Sequence, residues 1–552
     1  MSEFGGADPR HTIARALIAQ AERHGDKPLL KSIADGSSLG YAQLAAHAEA
    51  GSARLHERGL TAGRVAAVYL SANLDIVRSV FACLFGGVVN VGVNPDFRKT
   101  SLRFALQAVT ADAVFTDAAG LENLLDEEVL PALARLKLVV LAGSGESGLA
   151  PDRARHLLRA SACGLVSLDE LLEPGPTPRL WESVDAAAPA VVRFTSGTTG
   201  RPKGIVQTHL HVLNKCFEHN LLVEYGSQDI LYSPFPLYHG LASVMGLMGT
   251  LSAGGTMVTA PRFSASRYWQ DAAESGATLG HLLSSLVPFV EAQAPGRFDR
   301  GHRVRWLYTG VPNPGFEARF GARFVQSYSN GEIGIISAKR GGLSPRPSGS
   351  GMPLPYMDVR IVDELDRPVP HGEPGEIVVR PGRPHQIMLC YANDLPATMR
   401  AMRSLWYHTG DEGHFDEAGE LHFTGRLGDT IRRRGVNISS QQIESEIRLH
   451  TPVLDCAVIA VPSATGEQEL HACIVWKSPH DADADAAMKA LQAFLAARLP
   501  KSYVPRYFEQ LDALPMTPTG KVQKAQLRAA RRHGPTWEWE RGAWTRLTAP
   551  QD

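Results

Sequence analysis

The stretch Val191-Val192-Arg193-Phe194-Thr195-Ser196-Gly197-Thr198-Thr199-Gly200-Arg201-Pro202-Lys203-Gly204 joins an apolar strand to a loop of small residues. Its three glycines free the backbone to bend, its four hydroxyl residues and converging N–H groups suit an anion, and Lys203 adds a positive charge. No Gly-Lys pair followed by Ser or Thr closes it at the required spacing, so the loop is not a Walker A motif. A strand that opens into a phosphate-holding loop belongs to a sheet whose strand ends bind ligands. The sequence on either side repeats the alternation that such a sheet needs.

Toward the N-terminus, Ile13, Leu17, Ile18 and Ala21 share one helical face, with Thr12 as N-cap and Gly25 as stop. A second helix carries Leu44, Ala48 and Leu55 before Gly59. Val65 to Leu70, a helical run through Phe85, and Val88 to Val91 form strand, helix, strand, which is a βαβ unit. The apolar runs Ala113-Val114-Phe115, Leu136 to Leu141 and Ala190 to Phe194 continue it. The expectation is an α/β chain of helix-covered, mostly parallel sheets. Gly143-x-Gly145-x-x-Gly148 spells a dinucleotide fingerprint, but no helix opens there and Pro151 follows, so it reads as a surface turn.

With 552 residues the chain has room for several cores. A formal charge of -1 excludes a nucleic-acid polyelectrolyte surface, so the expected partners are small molecules. The six cysteines lack Cys-x-x-Cys spacing, which argues against a zinc site or a disulfide framework and suits a reducing cytoplasm. No N-terminal apolar signal segment and no membrane-spanning run is present.

Toward the C-terminus, Pro234-Phe-Pro-Leu-Tyr-His239-Gly240 puts one imidazole at a loop-to-helix junction, where a satisfied structural histidine is the bland alternative. Trp306-Leu-Tyr308-Thr-Gly310 and Phe324 to Glu332 each read as a strand breaking into a turn. From Val359 short alternating strands mark a β-rich subdomain that includes Tyr407 to Asp411 and Gly419 to Gly425. A small α+β module follows, with a Ser439-x-x-Gln442 capping box and a helix bearing Met488, Leu491, Leu495 and Leu499. The domain boundary falls near Gly428, dividing residues 1–427 from 428–552. Lys521 tips a Pro/Gly turn, where a solvated lysine is the bland alternative. Trp537, Trp539 and Trp544 are spaced to pack onto a domain.

Taken together, these motifs resemble the adenylate-forming superfamily of acyl-CoA synthetases, peptide-synthetase adenylation domains and luciferases. The match runs from the first helices to about Lys524. Within it the chain is most similar to carnitine- or crotonobetaine-CoA ligase-like enzymes, through Phe263-Ser-Ala-Ser-Arg-Tyr-Trp, Val504-Pro-Arg-Tyr-Phe-Glu and Thr536-Trp-Glu-Trp-Glu-Arg. The resemblance implies that a carboxylic acid attacks ATP to give acyl-AMP and pyrophosphate, after which the thiol of CoA takes the acyl group. It implies that Thr195, Ser196, Gly197, Thr198, Thr199, Gly200 and Lys203 cradle the phosphates, and that Glu332, with Thr195, holds Mg²⁺. Tyr328 would stack on adenine beside Gly310, Ser329 and Asn330. Asp411 would bind the ribose hydroxyls, with Arg426 in support. Lys521 would bridge the carboxylate and the α-phosphate, His239 would gate the thiol tunnel, and Gly435 would face that tunnel. A rotation of the small C-terminal domain about Gly428 would exchange Lys521 for the Arg432 to Ile438 hairpin. A homodimer is compatible with all of this.

Two turns depart from the family pattern. In Tyr328-Ser329-Asn330-Gly331-Glu332 the glycine of the family's Tyr-Gly-x-Thr-Glu turn is Ser329, and its threonine is Gly331. A lost hydrogen bond to a charged oxygen costs about 1.5–3 kcal/mol, so adenylation should be slowed unless Asn330, Ser329 or water substitutes, and the changes point to an unusual substrate or to reduced activity. The turn after Tyr308 also lacks the usual small residues. Transfer to an amine or a carrier-protein thiol, activation of nitrite for diazo formation, and a non-catalytic nucleotide-binding scaffold are the competing readings.

Overall fold

The computed structural model describes residues 11–143, 163–194, 203–308, 313–340, 349–427, 430–433, 436–462, 468–477, 484–516, 522–529, 535–540 and 543–547. Residues 195–202, together with Gly310, Gly428, Gly435 and Lys521, lie outside them, as do Gly145 and Gly148. Among the described residues no helix is long and apolar enough to cross a membrane.

Two large sheets dominate. In the first, Pro189–Phe194, Val89–Gly92, Val65–Tyr69, Ala113–Thr116, Leu138–Leu141 and Gly164–Ser167 lie side by side and run parallel. Gly204–Thr208 turns back against Pro189–Phe194, pairing Arg193 with Ile205. In the second, Arg323–Asn330, Trp306–Tyr308, Leu279–His281, Ile230–Tyr232, Thr256–Thr259 and Pro28–Ser32 are parallel, with antiparallel strands at both edges. The expected alternation is therefore present, distributed over two sheets.

The helices Ile13–His24, Tyr41–Glu57, Asn73–Phe85 and His209–Val223 share one core with strands of both sheets. Thr12 caps the first of them, accepting from Arg15 N at 3.1 Å, and Gly25 ends it at φ 54°. A helix covered on every side should be apolar all round. Asn73–Phe85 obeys, with Phe81, Leu84 and Phe85 fully buried. His209–Val223 does not: it buries His209, His211, Asn214, Lys215, Glu218, His219 and Asn220.

The β-rich part is a four-stranded antiparallel sheet of Met357–Val362, Gly375–Pro381, Tyr407–Phe415 and Leu421–Arg426. Beyond it, Thr430–Arg433 pairs with Val436–Ser439, and Val453–Pro462 opens a five-stranded sheet. Its last strands, Thr536–Glu540 and Ala543–Leu547, carry the three tail tryptophans, and Trp537 is buried. Ile431, Ile443, Leu470, Leu491, Phe508 and Trp537 belong to a core separate from that between the large sheets.

Candidate active site

The site is built around a hairpin. Arg323–Asn330 and Gly334–Arg340 pair antiparallel, with Asn330 opposite Gly334. Between them Asn330 Oδ1 accepts from Ile333 N at 2.8 Å, the Asx arrangement that suits a tight turn. The turn presents Glu332, which is 9% exposed. Its Oε1 accepts from the Tyr391 hydroxyl at 2.8 Å, and burial together with this carboxylate pushes the Tyr391 phenol up. Lys203 Nζ lies 5.0 Å from the centre of the Tyr391 ring, a cation–π distance. Lys203 and the carboxylate of the turn thus meet across one aromatic ring.

A second group lies beside the first. The Tyr328 hydroxyl donates to Asp411 Oδ2 at 2.6 Å, and Arg426 Nε faces Asp411 Oδ1 at 2.8 Å. Asp411 and Arg426 are cross-strand partners, which fixes their approach. Phe423 stacks on Tyr328 with ring centres 5.3 Å apart. Burial, and then the Asp411 carboxylate, hold the Tyr328 phenol well above its ordinary value. Glu332 and Arg426 both act electrostatically on Tyr391 and Tyr407, so the two groups form one site. Asp411 has its oxygens engaged by Tyr328 and Arg426, and a ribose diol would have to share them.

His239 is half-buried where the chain enters the π-helix Leu241–Met248, a geometry enriched at functional sites. Its carbonyl accepts from Ser243 N and Oγ, and its imidazole is one of the groups that, after burial and His219, lower buried His281. Next to it, a Cβ on Gly240 would stand 2.0 Å from Arg193 Nη1, so a larger residue there would have to displace the guanidinium. Burial lowers Arg193 to about 10, opposed by Cys216 and Glu332. An apolar cavity adjoins this point, walled by Leu237, Tyr238, Val244, Val68 and Val191, with Asn90 on its lining.

The structure therefore joins Lys203, Glu332, Tyr328, Asp411 and Arg426, with Ser329 and Asn330 on the same hairpin. Arg193, Tyr391, Tyr407 and Phe423 also belong to the site. In sequence each of these looks like an ordinary strand residue until the sheets are assembled. A trio with metal-ligand chemistry, His471, Cys473 and Glu509, is buried in the C-terminal sheet, where His471 Nε2 lies 3.0 Å from Glu509 Oε2.

A family model for AMP-binding enzymes matches residues 17–392, and one for the AMP-binding enzyme C-terminal domain matches residues 442–521. The chain belongs to the AMP-binding enzyme family. This AMP-binding enzyme is 28% identical to a sulfoacetate-CoA ligase of Cupriavidus necator over 94% of its own length and 97% of that protein. It is 30% identical to a crotonobetaine/carnitine-CoA ligase of Salmonella paratyphi A over 64% of the chain and 68% of the relative. Its fold matches that of an anthranilate-CoA ligase crystallised with anthranoyl-AMP, with a TM-score of 0.82 at 20% identity, covering 95% of this chain and 97% of that one. A benzoate-CoA ligase from Burkholderia xenovorans matches with a TM-score of 0.79 at 21% identity over 94% and 99%.

Proposed function

We propose that this AMP-binding enzyme activates a carboxylic acid with ATP, releasing pyrophosphate and forming acyl-AMP, and then passes the acyl group to the thiol of CoA. The observation that carries this reading is the meeting of Lys203, Tyr391 and Glu332 beside the Tyr328–Asp411–Arg426 group. An anion attacking a polyanionic nucleotide needs fixed positive groups and a metal to screen charge. Glu332 suits Mg²⁺: Tyr391 occupies Oε1, which leaves Oε2 for an ion, and one carboxylate plus substrate phosphates is a common Mg²⁺ donor set. Bound there, Mg²⁺ would neutralise phosphate charge.

In this reading residues 195–200 and Lys203 hold the β- and γ-phosphates, with Thr195 beside the ion. Tyr328, Gly310, Ser329 and Asn330 border the adenine. Asp411 and Arg426 hold the ribose, and Lys521 joins carboxylate to α-phosphate. His239 separates the acid from the thiol arm, which the adjoining cavity and Gly435 would accommodate. We assign residues 1–427 and 428–552 to two domains that rotate about Gly428; the separate C-terminal core supports this division. Six free cysteines support a reducing cytoplasm. Light scattering decides whether a homodimer forms.

The test is pyrophosphate release over an acid panel that includes sulfoacetate, crotonobetaine, anthranilate, benzoate and nitrite, with and without CoA, followed by mass analysis of the product. Acid-dependent release with a CoA thioester is expected. Release without thioester would redirect the second step to an amine, a carrier protein or diazo formation. No release with any acid would remove the catalytic reading and leave a nucleotide-binding scaffold.

A further inference from the structure

The helix His209–Val223 buries polar groups that the proposed reaction does not use, and they fall on one face. His211, Lys215 and Glu218 follow the i, i+4, i+7 spacing. All three reach the hairpin, two at its turn and Glu218 at the strand that follows. His211 Nε2 donates to Ile333 O at 2.9 Å, Lys215 Nζ donates to Gly331 O at 2.5 Å, and Glu218 Oε2 accepts from Ile335 N at 3.4 Å. Gly331 O takes a second bond from Gln207 Nε2 at 2.9 Å, and Gln207 Oε1 in turn accepts from Arg193 Nε. Met388 N donates to the carbonyl of Glu332. The approach is close: a Cβ on Gly334, where φ is +118°, would stand 3.0 Å from Lys215 Cγ.

Lys215 is the member that packing alone does not explain. It is 2% exposed. Burial drives its pKa well below the ordinary lysine range, and a methionine of similar length would fill the same space without the cost of burying a polar group. What the lysine provides is an N–H donor to the carbonyl of Gly331, a residue with no side chain to anchor it and wide backbone freedom. The next residue is Glu332.

We propose that Lys215 is a positioning residue: through the carbonyl of Gly331 it fixes the turn that carries Glu332, and so sets the geometry in which the adenylation step engages the nucleotide. This rests on the adenylation reading above. The experiment compares Lys215→Met, which keeps length and removes the donor, with Lys215→Gln, which restores an N–H donor. Three measurements are made on the full chain: thermal midpoint, hydrogen exchange of the peptide spanning residues 327–336, and the two half-reactions assayed separately.

For Lys215→Met we expect a thermal midpoint equal to or above that of the parent, faster exchange confined to the turn, and adenylation slowed by about 10-fold or more. Reaction of a supplied acyl-adenylate with CoA should change less than about 3-fold. Lys215→Gln should recover part of both the exchange protection and the rate. Unchanged exchange and adenylation in Lys215→Met would overturn the proposal, as would equal loss of both half-reactions, which marks general damage. If Lys215→Met does not fold, Gln207→Met, which removes the other donor to the same carbonyl, must give the same split or the proposal fails. A parent enzyme with no pyrophosphate release would instead remove the adenylation reading, and turn exchange would still decide whether Lys215 orders the turn.

Discussion

Asp411 sits 3% exposed between a phenol and a guanidinium, so its charge is held in place before any nucleotide arrives. Asp411→Asn keeps the shape and removes the charge. A hydrogen bond to a charged group contributes about 1.5–3 kcal/mol, so the KM for ATP should rise about tenfold or more while the KM for the acid moves less. Steady-state kinetics with each substrate varied in turn checks this, and equal rises would contradict a ribose role. Asp411, Arg426 and Tyr328 were legible because each stands in a recognisable motif. Phe423 and Tyr391 were not, since an aromatic in an alternating strand carries no mark of which ring or carboxylate it will meet.

The histidines of the buried helix give a pH prediction at the same scale. His219 Nε2 faces His281 Nε2 at 3.3 Å, His219 Nδ1 meets Asn220 Oδ1, and His281 Nδ1 meets Ser233 Oγ. Burial lowers His219 to about 4, and burial followed by repulsion from His219 and His239 lowers His281 well below the usual imidazole range. Between pH 6.5 and about 4 the unfolded chain therefore binds more protons than the native one, and stability falls as pH falls. For His219 the limiting loss is about 3 kcal/mol at ~1.4 kcal/mol per pH unit. His219→Gln should flatten the decline of the denaturation midpoint below pH 6.5, with His281 supplying the remaining slope. An undiminished slope would show that His219 is not buried neutral.

At the scale of elements, local signals served well. Thr12 and Gly25 bound the first helix because capping is decided by neighbours in sequence. The π-helix after His239 was not legible, because widening a helix by one residue per turn answers to packing against other elements. The tail tryptophans were legible as packed residues, but not as strands. Thr536–Glu540 closes on Tyr507–Gln510, and Trp537 Nε1 donates to Asp485 Oδ1 at 2.7 Å. Trp537→Ala removes a large buried side chain and this bond, and should cost about 3–5 kcal/mol in the C-terminal core. Denaturant unfolding followed by hydrogen exchange should place the loss in residues 431–547 and leave the core between the large sheets protected. Loss spread over both cores would mean that they do not unfold separately.

At the scale of the molecule, the strand alternation announced parallel sheets but not their number. Pairings such as Leu30 with Met257 join segments more than two hundred residues apart, and no local pattern encodes them. The C-terminal core is separate from that of the β-rich part, and the rotation proposed between half-reactions would turn at the boundary between them. Gly428 stands at that boundary in sequence. Glycine accommodates large φ/ψ changes, whereas proline fixes φ near −65° and restricts the residue before it. Gly428→Pro should therefore leave pyrophosphate release within about threefold of the parent while slowing transfer from a supplied acyl-adenylate to CoA by about tenfold or more. Lys521→Ala should give the mirror pattern, since a lysine that serves carboxylate attack is not needed once the adenylate exists. Measured together in the two separated half-reactions, the variants must fall on opposite sides. If both lose the same half-reaction, either the pivot or the lysine has been misplaced; if each loses both, the two half-reactions share one arrangement of the domains and no rotation separates them.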